Sequence, residues 1–194
     1  MEILLSICLG IGLSAACGFR VFVPLLVMSI ASLSGHLHLA HGFEWIGSSP
    51  ALIALSVATA LEIAGYYLPW VDHLLDTMAT PAAVVAGTVV TASLVADMSP
   101  FLRWTLAVIA GGGAAGLVQA TTVATRGASL VTTGGLGNPV VATLELAGAV
   151  VTSVLTLFVP VLVVALLAVF LVVFGRKLYR RTRTLKLPPR SVHT

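Results

Sequence analysis

The sequence predicts an all-α integral membrane protein with about six transmembrane helices. Of its 194 residues, 58% are hydrophobic and only 9% are charged, and the mean hydropathy is +1.08. A soluble domain usually carries about 25% charged residues, so no ordinary soluble core accounts for this composition. Prolines, glycines and polar turns divide the apolar stretches into lengths close to the roughly 20 residues that a membrane-spanning helix needs.

The first apolar stretch, residues 3–34, is longer than one span. It contains an arginine, Arg20, with Gly18 before it and Pro24 after it. An ionisable side chain inside a membrane is costly and needs a reason, and proline disrupts a helix interior. We therefore predict that the first helix is broken between Gly18 and Pro24.

The remaining spans are bounded by prolines and polar turns. An interfacial loop rich in histidine and aromatic residues precedes the second helix, which opens on a proline. We expect a polar connection at residues 69–81 and a further irregular segment at 126–138, which is too polar and glycine-rich for a helix. The predicted helices after the first are 50–69, 81–96, 101–125, 139–159 and 160–179.

Positive charge is concentrated at the C-terminal end. Seven of the ten basic residues lie from Arg176 onward, next to the last apolar helix, which is the positive-inside pattern. We predict one transmembrane domain, residues 1–179, in an inner membrane, and a disordered cytoplasmic tail, residues 180–194. The tail is expected to contact anionic membrane lipids, and the basic charge is not an indication of nucleic-acid binding.

The two halves of the chain share a weak pattern. The segment LSAACGFR ends at Arg20 and QATTVATR ends at Arg126, and a later helix in each half carries one glutamate, Glu62 or Glu145. Three spans in each half would place the two copies in opposite orientations, as in many secondary transporters. The predicted inverted repeats are residues 1–97 and 101–179.

These four ionisable residues are the main candidates for function. We expect the two arginines to hold an anionic group or to pair with a glutamate, and the two glutamates to take protons or cations. Counting along straight helices places Arg20 toward the outer face and both glutamates nearer the inner face. The structural alternatives stay open: Arg20 reaching the headgroups, Arg126 anchoring at the cytoplasmic surface, and the glutamates forming interhelical hydrogen bonds.

Polar residues in the other helices predict an internal cavity. Gln119 and several threonines end the fourth predicted helix, and Ser56, Thr59 and Glu62 share one face of the second. The sixth helix has no polar residue between Pro160 and Phe174 and is expected to face lipid. Small residues would let helices approach closely, and a homo-oligomer is left open.

Two polar clusters are weaker candidates for a metal site. Histidines and a carboxylate in the outer loop offer suitable ligands for zinc or copper, and a second group lies in the connection at 69–81. Neither spacing matches a specific metal motif, and no Ser/His/Asp or Cys/His set is visible, so we expect neither an enzyme nor a cofactor. The clusters are His36, His38, His41 and Glu44, and Asp72, His73 and Asp76.

The segments GLSAACGFRVFVPLL, residues 12–26, and LEIAGYYLPWVDHLLD, residues 61–76, resemble a bacterial family of small polytopic membrane proteins, domain of unknown function 4126. The resemblance extends over most of the chain to about residue 179 and implies no substrate. The positions that it marks are Gly18, Arg20, Pro24, Glu62, Pro69, Asp72 and Asp76.

We therefore expect a small membrane transporter or permease for an anionic solute or a lipid phosphate, coupled or not to protons. One alternative is a membrane scaffold or assembly factor that transports nothing. Another is a metal-handling protein that uses the outer-loop histidines. The predicted substrate-binding or gating residues are Arg20, Glu62, Glu145, Arg126, Gln119, Asp72 and Asp76.

Overall fold

The computed structural model describes residues 2–184, except for the side chains of residues 69–74, 76, 171, 174–175 and 177–184. Within that range the chain is helical apart from short turns, and it contains no strand. The predicted all-α class is confirmed. The helices are α1 Glu2–Cys17, α2 Phe22–Leu33, α3 Ser49–Gly65, α4 Pro69–Leu94, α5 Pro100–Leu106, α6 Gly113–Thr133, α7 Asn138–Phe158 and α8 Pro160–Thr184.

Among the residues that the structure describes, three helical segments are long and apolar enough to cross a membrane: Thr77–Leu94, Pro100–Thr133 and Asn138–Phe158. The second of these joins α5 to α6 through one π-helical turn, Ala107–Gly112. The other apolar segments with described side chains have 10–17 residues, and they include Pro160–Phe170, the first part of α8. For example, α1 has 16 residues, which is about 24 Å of helix against a hydrocarbon core of about 30 Å. The membrane class is thus supported, and the predicted count of six spans is not confirmed.

The predicted break in the first apolar stretch is confirmed. Helix α1 ends at Cys17 and α2 begins at Phe22, and Pro24 lies in the first turn of α2, where its missing N–H removes no hydrogen bond. Gly18 is required by packing rather than by its backbone angles. A Cβ atom at this position would lie 2.5 Å from the carbonyl oxygen of Ala115 and 2.9 Å from the amide nitrogen of Gln119.

We expect Gly18→Ala to lower the free energy of unfolding by about 1–3 kcal/mol, the usual cost of overpacking a close contact. Neighbouring backbone cannot move aside as a flexible side chain can. The matched control is Gly113→Ala, because a Cβ at Gly113 meets nothing within 4 Å; that change should be neutral or slightly stabilising. Equilibrium unfolding in mixed micelles measures both variants, and equal stability of the two would contradict the packing role of Gly18.

Two sequence predictions about helix ends are wrong. Residues 69–81 do not form a polar connection, because α4 runs without interruption from Pro69 to Leu94 with Pro81 inside it. An interior proline removes one hydrogen bond, whereas ending the helix in apolar surroundings would leave several backbone groups unsatisfied. Helix α4 is therefore longer than predicted at its N-terminal end.

The segment after Arg126 is also helical, since α6 continues to Thr133. Its hydroxyl groups bond back to carbonyls one turn earlier: Thr132 to Ala128 at 2.8 Å and Thr133 to Ser129 at 2.7 Å. These local bonds satisfy the polar side chains inside the helix. The helix ends at Thr133, and Gly134 follows it with a φ of 63°, the left-handed conformation that terminates many helices.

Helix α1 lies at the centre of the bundle, in contact with α4, α6, α7 and α8. It packs closely on α4, where the Ser14 hydroxyl donates to the carbonyl of Gly87 at 2.6 Å.

Most described side chains of α8 are exposed, as expected for a lipid-facing helix. Helix α8 ends at Thr184, so it includes the first residues of the predicted tail; residues 185–194 lie outside the described residues. The inverted repeat stays a prediction.

Candidate functional site

The break between α1 and α2 places Arg20 inside the bundle, with only 2% of its surface exposed. Its Nη2 donates to the carbonyl of Ala142 on α7 at 2.9 Å, and its Cζ lies 3.7 Å from the centre of the Tyr66 ring. The other two nitrogens, Nε and Nη1, are buried and have no hydrogen-bond partner in the described part of the chain. Arg20 is therefore a buried cation with unused donors.

The second arginine, Arg126 on α6, is paired with Glu145 on α7. Its Nε donates to Glu145 Oε1 at 3.0 Å, and its Nη2 donates to Oε2. This two-point contact is the strong geometry of an arginine–carboxylate pair, and it ties α6 to α7. The same Oε2 lies 3.7 Å from Nη2 of Arg20, so one carboxylate neutralises parts of two guanidinium groups.

Tyr66 also belongs to the cluster, and it is not among the site residues predicted from the sequence. Its ring is 6% exposed and contacts both guanidinium groups, with the Cζ of Arg126 4.2 Å from the ring centre. Cation–π contacts of desolvated arginines are worth about 2 kcal/mol. The signal available in the sequence was its position four residues after Glu62, which places both side chains on one face of α3.

Glu62 contacts backbone rather than an arginine side chain. Its Oε1 accepts a hydrogen bond from the N–H of Val21 at 2.7 Å and its Oε2 accepts one from the N–H of Phe22 at 3.1 Å. The first N–H groups of a helix have no partner inside the helix, and the helix dipole favours negative charge at that end. The carboxylate of α3 thus caps the N-terminus of α2.

The predicted separation of the charges in depth is wrong. Arg20 was expected near the outer face and Glu145 near the inner face, yet they lie within 3.7 Å of each other. The predicted depths were counted along one straight helix through Arg20. Because α1 stops at Cys17, Arg20 lies at the break and is directed into the same layer as Arg126 and Glu145.

The other predicted site residues are Gln119, Asp72 and Asp76, and of these the structure describes only the side chain of Gln119. Gln119 on α6 is buried, with 4% of its surface exposed, and the carbonyl of the same residue accepts the Thr122 hydroxyl at 2.9 Å. Asp72 and Asp76 fall within α4, but their side chains lie outside the described residues.

A groove of ≈ 230 Å³ leads from the lipid-facing side of the bundle to Glu145. It lies between α6, α7 and α8. One wall is formed by threonines of α6 whose hydroxyls donate to carbonyls of the same helix. The rest of the lining is largely apolar, with Leu144 and Phe170 exposed. The lining residues are Phe19, Thr121, Thr122, Thr125, Val141, Leu144, Glu145 and Phe170.

The outer-loop histidines do not converge. His36 Nδ1 lies 3.1 Å from the hydroxyl of Ser34, and Glu44 accepts the N–H of Gly42 at 2.7 Å. Hydrogen bonds from its own N–H and from Gly42 lower the pKa of the exposed Glu44 carboxyl. Among the side chains that the structure describes, no three His, Cys, Asp or Glu residues are grouped so as to hold a metal ion.

The helices and the buried cluster define a helical membrane protein with an arginine–glutamate site between α2, α3, α6 and α7. Residues 7–180 match the model of the family described as domain of unknown function (DUF4126), so the chain belongs to that family, as the resemblance predicted. No curated protein and no solved structure matches the chain.

Proposed function

We propose that this protein is a small permease that moves an anionic substrate across the bacterial cytoplasmic membrane. Arg20 is the substrate-binding cation, and Glu62 and Glu145 are the carboxylates that neutralise the site when it is empty of substrate. We propose a cytoplasmic C-terminal end, which the seven basic residues there support by the positive-inside rule. The oligomeric state is left open.

The observation that supports this proposal is the incomplete pairing of Arg20. Arg126 has a two-point partner in Glu145, whereas Arg20 shares that carboxylate at 3.7 Å. Its Nε and Nη1 have no hydrogen-bond partner among the described residues. Buried donors that lack partners cost free energy, and ionisable residues inside membranes usually mark substrate or ion pathways. An anion that enters the site would supply the missing acceptors.

The groove supports access from the side of the bundle. It reaches Glu145, which contacts both arginines. Its lining is largely apolar apart from this carboxylate, so it suits an acyl chain whose headgroup reaches the charged cluster. A lipid headgroup is therefore a candidate source of the anion, beside a small anion dissolved in water.

A scaffold without transport activity is the second candidate, because two contacts of the cluster hold helices together. Glu62 joins α3 to the start of α2, and Arg126 joins α6 to Glu145 on α7. In a scaffold, Arg20 would serve the same purpose, and its loss would dissociate or unfold the protein. In a permease, the protein would stay folded and lose activity.

The test is transport by purified protein in phosphatidylcholine vesicles, with two probes. One arm measures uptake of radiolabelled pyruvate, and the other measures movement of fluorescent phosphatidylglycerol between leaflets. We expect movement of at least one probe above that of protein-free vesicles. Arg176→Gln, a change at an exposed arginine of α8, should transport like the unmodified protein. Movement of neither probe would overturn the proposal.

A further inference from the structure

We propose that the N-terminus of α2, together with Arg20, is a binding site for a monoanionic group with two oxygens, and that Glu62 occupies this site in the structure. Such a group is a carboxylate or a phosphodiester. The inference rests on the proposed function and specifies it: the substrate replaces Glu62, and a proton on Glu62 accompanies the substrate.

The first observation is the geometry of the hydrogen bonds that the backbone donates to Glu62. Two successive backbone N–H groups hold the two oxygens of one carboxylate, at 2.7 and 3.1 Å. They belong to the start of a 12-residue helix, which favours an anion there. The occupant comes from a different helix, α3, so the anion site and its present ligand are separate parts of the fold.

The second observation is Arg20 beside this N-terminus. It immediately precedes Val21, is 98% buried, and leaves Nε and Nη1 without hydrogen-bond partners among the residues described. Arg20 and Glu62 attract each other but share no hydrogen bond, so the arginine has capacity for a second acceptor. Broken helices with a half-helix N-terminus directed at an anionic substrate are a recurring design in secondary transporters.

The charge of the cluster selects a monoanion. With all four side chains ionised, the charges of the buried residues Arg20, Arg126, Glu62 and Glu145 sum to zero. Uncompensated charge in a buried site is expensive. If Glu62 takes a proton and leaves, a monoanion restores neutrality, whereas a dianion such as sulfate leaves one excess negative charge.

The proton is assigned to Glu62 by its surroundings. The ionisable groups that face it are Cys17 from α1, Arg20 from the break and Glu145 from α7. Glu145 keeps a two-point bond to Arg126, so its charge is the better compensated of the two carboxylates. Because charged Glu62 competes with the substrate, we expect substrate affinity to rise as pH falls from 8 to 5.

The experiment measures binding directly, in nanodiscs of phosphatidylcholine. Calorimetry with pyruvate and titration with short-chain phosphatidylglycerol compare the unmodified protein with Glu62→Ala between pH 5 and pH 8. At pH 8 the variant should bind its preferred probe at least about tenfold more tightly, the factor expected when an internal occupant fills a site about 90% of the time. Its affinity should no longer depend on pH, and sulfate should bind neither protein.

Glu44→Ala is the matched control, since this exposed carboxylate also accepts a backbone N–H; it should change nothing. If Glu62→Ala does not fold, Glu62→Gln removes the charge and keeps an acceptor, and it should also bind without pH dependence. A folded variant with unchanged affinity and pH dependence would overturn the inference, but it would not contradict the proposed permease function. Absence of binding of both monoanions by all these proteins would overturn the inference and the proposed function together.

Discussion

Replacing Glu145 by alanine lowers the free energy of unfolding by about 3–5 kcal/mol, the cost of removing one partner of a buried ion pair. The loss is at the upper end of that range because two arginines depend on this carboxylate. Arg126 loses both of its hydrogen bonds to Glu145, and Arg20 loses the charge that lies 3.7 Å from its Nη2. Both guanidinium groups would then be buried without that carboxylate.

Equilibrium unfolding in mixed micelles tests this expectation, with Glu44→Ala as the comparison. Glu44 is exposed and bonds to a backbone N–H of its own loop, so its loss should change the free energy of unfolding little, as for most surface changes. A Glu145→Ala protein as stable as Glu44→Ala would show that the cluster does not hold α6 and α7 together.

On the proposed permease function, we expect replacement of Arg20 by glutamine to reduce transport sharply while the protein remains folded. Glutamine keeps a polar side chain at this position, but the cation and the hydrogen bond from Nη2 to the carbonyl of Ala142 are lost. Hydrogen bonds to charged groups are worth about 1.5–3 kcal/mol, which corresponds to a fall in anion affinity of about 10- to 100-fold. Arg20→Lys keeps the charge but lacks the planar guanidinium, which donates several hydrogen bonds in fixed directions. This variant should retain only part of the activity.

Arg176→Gln makes the same substitution at an exposed position and should leave uptake unchanged. Size-exclusion chromatography and thermal unfolding report whether Arg20→Gln is folded. A folded protein with normal movement of pyruvate or phosphatidylglycerol would remove Arg20 from the binding site. A protein that disperses or unfolds on this change would favour the scaffold instead.

The break at Arg20 could be predicted from the sequence because its causes are local. A glycine, a buried charge and a proline fall within seven residues, 18–24. The lengths of α4 and α6 could not be predicted in the same way. Pro81 and the threonines after Arg126 usually mark helix ends in water, but apolar surroundings favour continued backbone hydrogen bonding.

The four charged residues of the site were also visible in the sequence, because charges are few and conspicuous in apolar stretches. Their partners were not. Depth counted along straight helices separated Arg20 from Glu145, whereas the end of α1 at Cys17 brings them together. The contact between Glu62 and the N–H groups of Val21 and Phe22 depends on how α3 packs against α2, and no local pattern specifies that packing.

The amide signals of Val21 and Phe22 test the central claim most directly. In selectively ¹⁵N-labelled protein in phosphatidylcholine nanodiscs at pH 5.5, we expect both signals to shift when pyruvate or phosphatidylglycerol is added, because a new oxygen acceptor replaces Glu62. The same additions should leave both signals unchanged in Arg20→Gln. Signals that stay in place in the unmodified protein with both probes would contradict an anion site at the start of α2.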